Sequence, residues 1–344
     1  MKNILFATTA LVATAGIASA EVAGSGPGTV NISGWAEMGV IGGSEIESQF
    51  WTDIDVEFRM SGTADNGLTF GAGVDLDENG AFTGTTEGGE FVFVSYGAAT
   101  LTMGDTDGAF DAALTEVNYA SGSIDNSETA HAGFSGNGGV GLFGAGVLMV
   151  PGAQLGTGLD AAYDGQIARF DYAFEGITAS VSAEIDDTGA GDPIWGLGVA
   201  YAGEFSGVAV GFGLGYQATA DFGGSDTEIS VWGLSADAGF SNGVTVGLNY
   251  SQMDIEGVDD TLDHGAIGIG YEMNAIAVGL NYGHYTSDDE ELASGFGLAA
   301  SYDLGGGLVG QFGYGSSSLD LGFATLVGSE EEFNTWSLGL AMSF

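Results

Sequence analysis

The chain has 344 residues with 64 Gly, 3 Pro and no Cys, and 47 acidic residues against 3 Lys and Arg give it a formal net charge of −44. That charge repels nucleic acid, the lack of cysteine excludes disulfide staples and a lipid-anchored N-terminal cysteine, and glycine without an every-third-residue period excludes a collagen-like helix. No run of 18 apolar residues occurs beyond the N-terminal one, which excludes a bundle of membrane-spanning helices.

The first element is a signal peptide at residues 1–20. Lys2 supplies the positive charge, ILFATTALVATAGI the apolar stretch and Ala18-Ser19-Ala20 the small-residue cleavage site. The mature chain is expected to begin near Glu21 and to run as one domain over 21–344. It keeps Arg59 and Arg169 as its cations against 47 acids, a formal charge of 2 − 47 = −45.

From there the chain reads as short alternating segments. Strands are expected at 30–40, 51–61, 68–76, 90–96 and 99–104. They resume after a long excursion at 166–174, 178–185, 194–201, 208–218, 228–237, 244–253, 263–271, 275–285, 294–302, 308–316 and 335–344. Sixteen is an even number, and short turns alternate with longer loops along the whole series. That two-ended asymmetry marks an all-β, transmembrane antiparallel barrel of 16 strands, with turns in the periplasm and loops outside. A soluble β-sandwich has no reason to keep it. The last strand stops on Phe344, and its partner is expected to be the first, closing the sheet.

Period-2 alternation also assigns faces. In the second strand Ile54, Val56, Phe58 and Met60 share one face and Asp53, Asp55, Glu57 and Arg59 the other. Four charges do not belong in a soluble core, whereas a wide barrel turns them toward water. The sixth strand repeats the pattern, with Phe170, Tyr172 and Phe174 toward lipid and Arg169 and Asp171 inward. Elsewhere the inward positions are often Gly, Ser, Ala or Asn, too small to fill the interior, so the lumen is expected to hold water. Tyr96, Phe174, Tyr201, Tyr271, Tyr302 and Phe344 end strands just before short turns or the terminus, as a periplasmic aromatic girdle would.

One connection breaks scale. Residues 105–165 open with MGDTDGAFDAALTEVNYA and carry Asp105, Asp107, Asp111, Glu116, Asp125 and Glu128. Folded into the lumen, this loop would set the narrowest cross-section. Its later half, GFSGNGGVGLFGAGVLMVPGAQLG, suits packing against the inner wall or at a subunit contact. An external loop with solvating acids is the alternative.

Lining a water-filled passage with one sign of charge favours counter-ions, so small cations should pass more readily than anions. Acidic clusters at Asp254, Glu256, Asp259 and Asp260, at Asp288, Asp289, Glu290 and Glu291, at Glu330, Glu331 and Glu332, and at Asp105 with Asp107 could bind Ca²⁺ or Mg²⁺. None has the spacing of a calcium-loop motif, which favours diffuse cation screening over specific sites. Enzymatic chemistry has little support: His131, His264 and His284 are scattered, and HExxH, GxSxG and a phosphate-binding glycine loop with lysine are missing.

These residues carry a resemblance. VNISGWAEMGV, FRMSGTADNGLTFGAGVDLDE, FVFVSYGAATLTMGDTDGAFDAAL, ASYDLGGGLVGQFGYG and the terminal Phe344 are similar to the general diffusion porins of the alphaproteobacterial outer membrane, the Rhodobacter and Paracoccus type. The resemblance implies a cell outer membrane location among lipid and lipopolysaccharide, and a homotrimer. It implies a third loop folded inward as an eyelet and passive diffusion of small hydrophilic solutes. It further implies no required cofactor, with calcium near the eyelet or outer loops in some members. Phe344 would serve recognition by the barrel assembly machinery. Carried onto this chain, Asp105, Asp107, Asp111 and Glu116 would face the pore, with Arg59 and Arg169 as the only candidates for the positive wall that the family usually opposes to them. With so few cations the transverse field should be weak or locally reversed, and the pore more cation-selective than its relatives. A plugged structural or adhesive barrel, or a secreted acidic β-rich module, are the competing readings.

Overall fold

The computed structural model describes residues 28–79, 86–119, 122–124, 131–138, 155–288, 290–320, 322, 324 and 330–344. The signal peptide, Asp125, Glu128, Asp289 and residues 139–154 of the long loop lie outside them. In chain order the strands are β1 (Thr29–Gly43), β2 (Gln49–Thr63), β3 (Thr69–Asn79), β4 (Thr86–Tyr96), β5 (Ala99–Asp105), β6 (Ser135–Gly136) and β7 (Leu155–Gly156). They continue with β8 (Gln166–Phe174), β9 (Ile177–Glu184), β10 (Ile194–Phe205), β11 (Val208–Thr219), β12 (Ile229–Gly239) and β13 (Val244–Ile255). The last are β14 (Leu262–Met273), β15 (Ile276–Ser287), β16 (Glu290–Gly305), β17 (Leu308–Leu319) and β18 (Glu332–Ser343).

Sixteen of these form one closed antiparallel barrel in which each strand pairs with its neighbours in sequence, β5 with β8 and β18 with β1; β6 and β7 make a small parallel pair within the long loop. The closing seam runs in register from Trp35 opposite Ser343 to Gly43 opposite Thr335. Phe344 completes it: its N–H donates to the Gly34 carbonyl at 2.8 Å, and its carbonyl accepts from the Gly34 N–H at 3.3 Å. Deleting Phe344 removes both bonds, each worth about 1 kcal/mol. The yield of barrel that resists unfolding in unheated detergent electrophoresis should fall, and an unchanged yield would show that the seam does not need this residue.

Alternation decides what each strand shows to lipid. On β11, Phe212, Leu214 and Tyr216 point outward and are exposed, while Gly211, Gly213 and Gly215 point inward and are buried. Tyr96, Phe174, Tyr201, Tyr271, Tyr302 and Phe344 are all exposed toward the ends of downward strands, as a girdle at the headgroup level requires. The tight turns follow hairpin twist: Glu175-Gly176 and Ser206-Gly207 take φ of 48° and 84°, and 54° and 84°. Such type I′ geometry puts Gly at the second position.

Two expectations are corrected. The loop placed at 286–293 is largely strand, because β15 continues to Ser287 and β16 starts at Glu290, with an irregularity between Tyr285 and Thr286. Backbone pairing carries on past the apolar belt, where alternation no longer signals it. The barrel interior is also not lined by water alone. Ile194, Ile229, Val231, Met253, Leu262 and Phe333, near the outer ends of their strands, are buried in one cluster with Phe110, Leu114 and Leu159 of the long loop. The core of this protein therefore lies inside its barrel.

Candidate functional site

The long loop enters the lumen past Arg169 on β8. The guanidinium Nη1 donates to the Asp107 carbonyl at 2.6 Å and lies 4.0 Å from its carboxylate, while Nε donates to Asp171 at 3.1 Å. Next the Gly108 N–H donates to Asp160 at 2.6 Å and the Ala109 N–H to the Ser182 hydroxyl at 2.8 Å. A 3₁₀ turn over Asp111–Ala113 leads to Thr115, whose N–H donates to the Ser235 hydroxyl at 2.9 Å. Asn249 ties the outgoing leg to the returning one, donating to the Thr115 carbonyl at 3.0 Å and to the Asn137 side-chain oxygen at 2.8 Å.

The returning leg is bound to the same inner wall. Ala132 N–H donates to the Ser317 hydroxyl at 2.9 Å, the Thr157 and Ser251 hydroxyls lie 2.6 Å apart, and Leu159 N–H donates to the Gln217 side-chain oxygen at 2.8 Å. Buried Glu184 then accepts from the Tyr163 and Gly165 N–H groups at 3.1 and 3.0 Å. The described parts of the loop are thus docked on the wall from β9 to β17 by wall side chains that satisfy its backbone. Sequence reasoning missed these anchors. For Gln217, Ser235, Asn249 and Ser317 the signal is an inward polar residue two positions after an inward glycine: Gly-Tyr-Gln at 215–217, Gly-Leu-Ser at 233–235, Gly-Leu-Asn at 247–249 and Gly-Ser-Ser at 315–317.

The histidines are not all scattered, contrary to the sequence expectation. His131 hydrogen-bonds Asn281 at 2.6 Å through Nε2 and accepts the Gly133 N–H at 3.2 Å on Nδ1, while His264 Nε2 contacts the Gly133 carbonyl at 3.0 Å. With Nδ1 accepting, the His131 proton sits on Nε2 and is donated to Asn281. Both rings are buried and secure the returning leg. His284 stands beside Glu291 at 4.0 Å.

The loop acids divide by role. Asp105 accepts from the Gly89 N–H at 3.2 Å, and Asp107 faces Arg169. Asp111 and Glu116 are partly buried between the legs, where Glu116 accepts the Asn137 N–H at 3.3 Å. Burial, with Asp107, Asp160 and Glu116 nearby, holds the Asp111 carboxyl well above its usual range; burial also raises Glu116 and pushes Asp160 up to about 6.

The wall of β1 to β3 carries the second concentration of charge. Glu37 lies opposite Asp53, Asp55 opposite Asp77, and Glu57 opposite Asp75, all on inward faces. Arg59 is the cation among them, paired to Glu57 and set 5.6 Å over the Phe91 ring. Like charges directly across a ladder repel, so this wall attracts cations from the lumen. Beneath the loop, at the short-turn ends of β5 to β11, lies a cavity of 370 Å³, lined by Gly97, Thr100, Thr115, Arg169, Asp171, Gly176 and Ser180 among others. Hydroxyl and charged groups there suit hydrated solutes.

Each arginine is paired with carboxylates, so removing one leaves those charges uncompensated in the lumen. Arg169→Gln should shift ion selectivity toward cations and raise open-channel noise through the freed loop entry, both read in planar bilayers; unchanged selectivity would mean Arg169 lies outside the ion path.

Of the candidate metal ligands, Asp105, Asp107, Asp254, Glu256 and Asp288 are not brought together in a group of three acids, and Asp289 lies outside the described residues. Among the described residues one such group exists, Asp53, Asp55 and Asp77, with carboxylate oxygens within 4.8 Å of one another.

Residues 7–320 match the family model described as Gram-negative porin. A porin of Rhodobacter capsulatus is 28% identical over 302 residues, 81% of this chain and 91% of that protein. A triple mutant of Rhodopseudomonas blastica porin superimposes with a TM-score of 0.62 at 19% identity, covering 92% of this chain and 100% of its own. A second porin structure gives a TM-score of 0.64 at 22% identity with the same coverage.

Proposed function

The chain belongs to the Gram-negative porins, and from that membership we propose that its outer-membrane diffusion channel prefers small cations. The observation that carries this is the inward row of Glu37, Asp53, Asp55, Glu57, Asp75 and Asp77 with Arg59 as the cation among them, itself paired. A passage lined by one sign concentrates counter-ions at the points where it narrows. Transport of this kind needs binding that is weak enough to release, and neither a catalytic group nor a cofactor is required.

A divalent cation fits the Asp53, Asp55 and Asp77 group, since hard cations take several carboxylate oxygens at close quarters. Calcium there would neutralise part of the wall and lower cation preference. Assembly as a homotrimer is part of the same reading.

Solute flux tests the channel itself. Proteoliposomes holding the detergent-extracted protein should swell in isosmotic solutions of a pentose or hexose, and more slowly as the sugar grows. Folded protein that gives no swelling would favour a plugged, structural barrel instead.

A further inference from the structure

We propose that four wall glycines, Gly198 on β10, Gly213 on β11, Gly268 on β14 and Gly283 on β15, are seats that set the aperture of the channel by fixing how closely the long loop lies against the wall. A Cβ added at each would collide with a main-chain carbonyl oxygen of the loop: Ala109 at Gly198, Ala113 at Gly213, Val117 at Gly268 and Gly133 at Gly283. The first three carbonyls recur every fourth residue along the outgoing leg, so the leg steps along the wall with no wall side chain between. None of the four glycines takes a positive φ. The backbone would therefore accept any residue at these positions, and the close approach of the loop is what requires glycine.

Hydrogen bonds fix the same arrangement independently. Ala109, Thr115, Ala132 and Leu159 donate their N–H groups to Ser182, Ser235, Ser317 and Gln217, which stand on the same inner face as the seats. A carbonyl on a glycine and an N–H on a polar neighbour hold the leg at one depth. A larger residue at a seat moves that depth toward the acid-lined wall, by on the order of 1 Å for ordinary contact between carbon and oxygen. The seats thus determine solute size without touching solute.

This rests on the channel reading, and the experiment separates the two. Gly213→Val and Gly268→Val are compared with wild type and with Ala179→Val, whose added carbons point to lipid, by single-channel conductance in KCl and by sugar-driven liposome swelling. Folding is judged by resistance to unfolding in unheated detergent electrophoresis, and Gly213→Ala and Gly268→Ala replace the valine variants if those fail it. The seat variants should conduct roughly two-fold less and admit a smaller largest sugar, with Ala179→Val matching wild type. Conductance equal to wild type, or higher, in folded seat variants overturns the seats. Loss of conductance in wild type and Ala179→Val alike would instead strike the channel reading.

Discussion

Replacing Asp53, Asp55 and Asp77 together by Asn should remove most of the cation preference proposed for the channel. A monovalent ion 4 Å from one carboxylate in water gains or loses about 1 kcal/mol, roughly a five-fold change in local concentration. Three such groups lie within 4.8 Å of one another, well inside the Debye length of about 8 Å at physiological salt, so an ion passing this wall feels them together. Asparagine keeps the size and polarity of each side chain and removes the charge. The K⁺ over Cl⁻ permeability ratio should fall by five-fold or more while conductance at high salt changes little, because screening already masks the charges there. The same substitution relieves repulsion between Asp55 and Asp77, which face each other across β2 and β3, so thermal stability should hold or rise. A ratio unchanged from wild type would place selectivity elsewhere, in the loop acids.

Releasing the loop at Asp160 should have the next largest effect. This carboxylate is 7% exposed and accepts from the Gly108 N–H on the outgoing leg and from Gln217 on β11, at 2.6 and 2.5 Å. Asp160→Ala leaves two buried donors without partners, at a cost of about 1–3 kcal/mol each. That is enough to turn a docked loop into one that leaves the wall often. Single channels should become noisy, with frequent transitions, and chymotrypsin should cleave within 106–165 faster than in wild type. Quiet channels and unchanged cleavage would show that the other anchors suffice.

The same residue fixes the sign of a pH effect. Burial, set against its hydrogen bonds and helped by the charges of Asp107 and Glu184, raises the Asp160 carboxyl from 3.8 to about 6. The docked loop then holds this proton more tightly than an undocked one, so the group favours docking most below about pH 4, an advantage lost as pH climbs through about 6. Asp111 and Glu116 lean the same way. His131 leans the other way: burial lowers it from 6.5 to about 4, so its share of docking is full above 6.5 and is lost as pH falls through about 4. In Asp160→Asn, channel noise should therefore rise less between pH 5 and pH 7.5 than in wild type. An equal rise in both proteins would put the titration on other groups.

Much of the fold is legible because lipid outside and water inside impose the same two-residue rule on every strand. Phe170, Tyr172 and Phe174 against Arg169 and Asp171 show it directly, and all six girdle aromatics are exposed where the alternation places them. The rule fails where its physical cause ends. Above the apolar belt, β15 and β16 extend on backbone pairing alone, and Ile194, Val231 and Met253 turn inward because the loop, rather than lipid, covers them. Gly213 and Gly268 read as gaps left for water, yet the loop backbone occupies the space in front of them. His131 and His264 stand 133 positions apart and meet only because the returning leg carries Gly133 to β14, a contact that periodicity cannot encode. The wall acids Asp53, Asp55 and Glu57 were visible as a luminal row, whereas Asp77 joined them only through the register of β2 with β3.

The zero-current potential of the purified, detergent-extracted protein in a planar bilayer under a tenfold KCl gradient tests the central claim most directly. The acid-lined wall predicts a potential of the sign set by K⁺ crossing more readily than Cl⁻, growing as total salt is lowered; a potential near zero, or one set by Cl⁻, would contradict it.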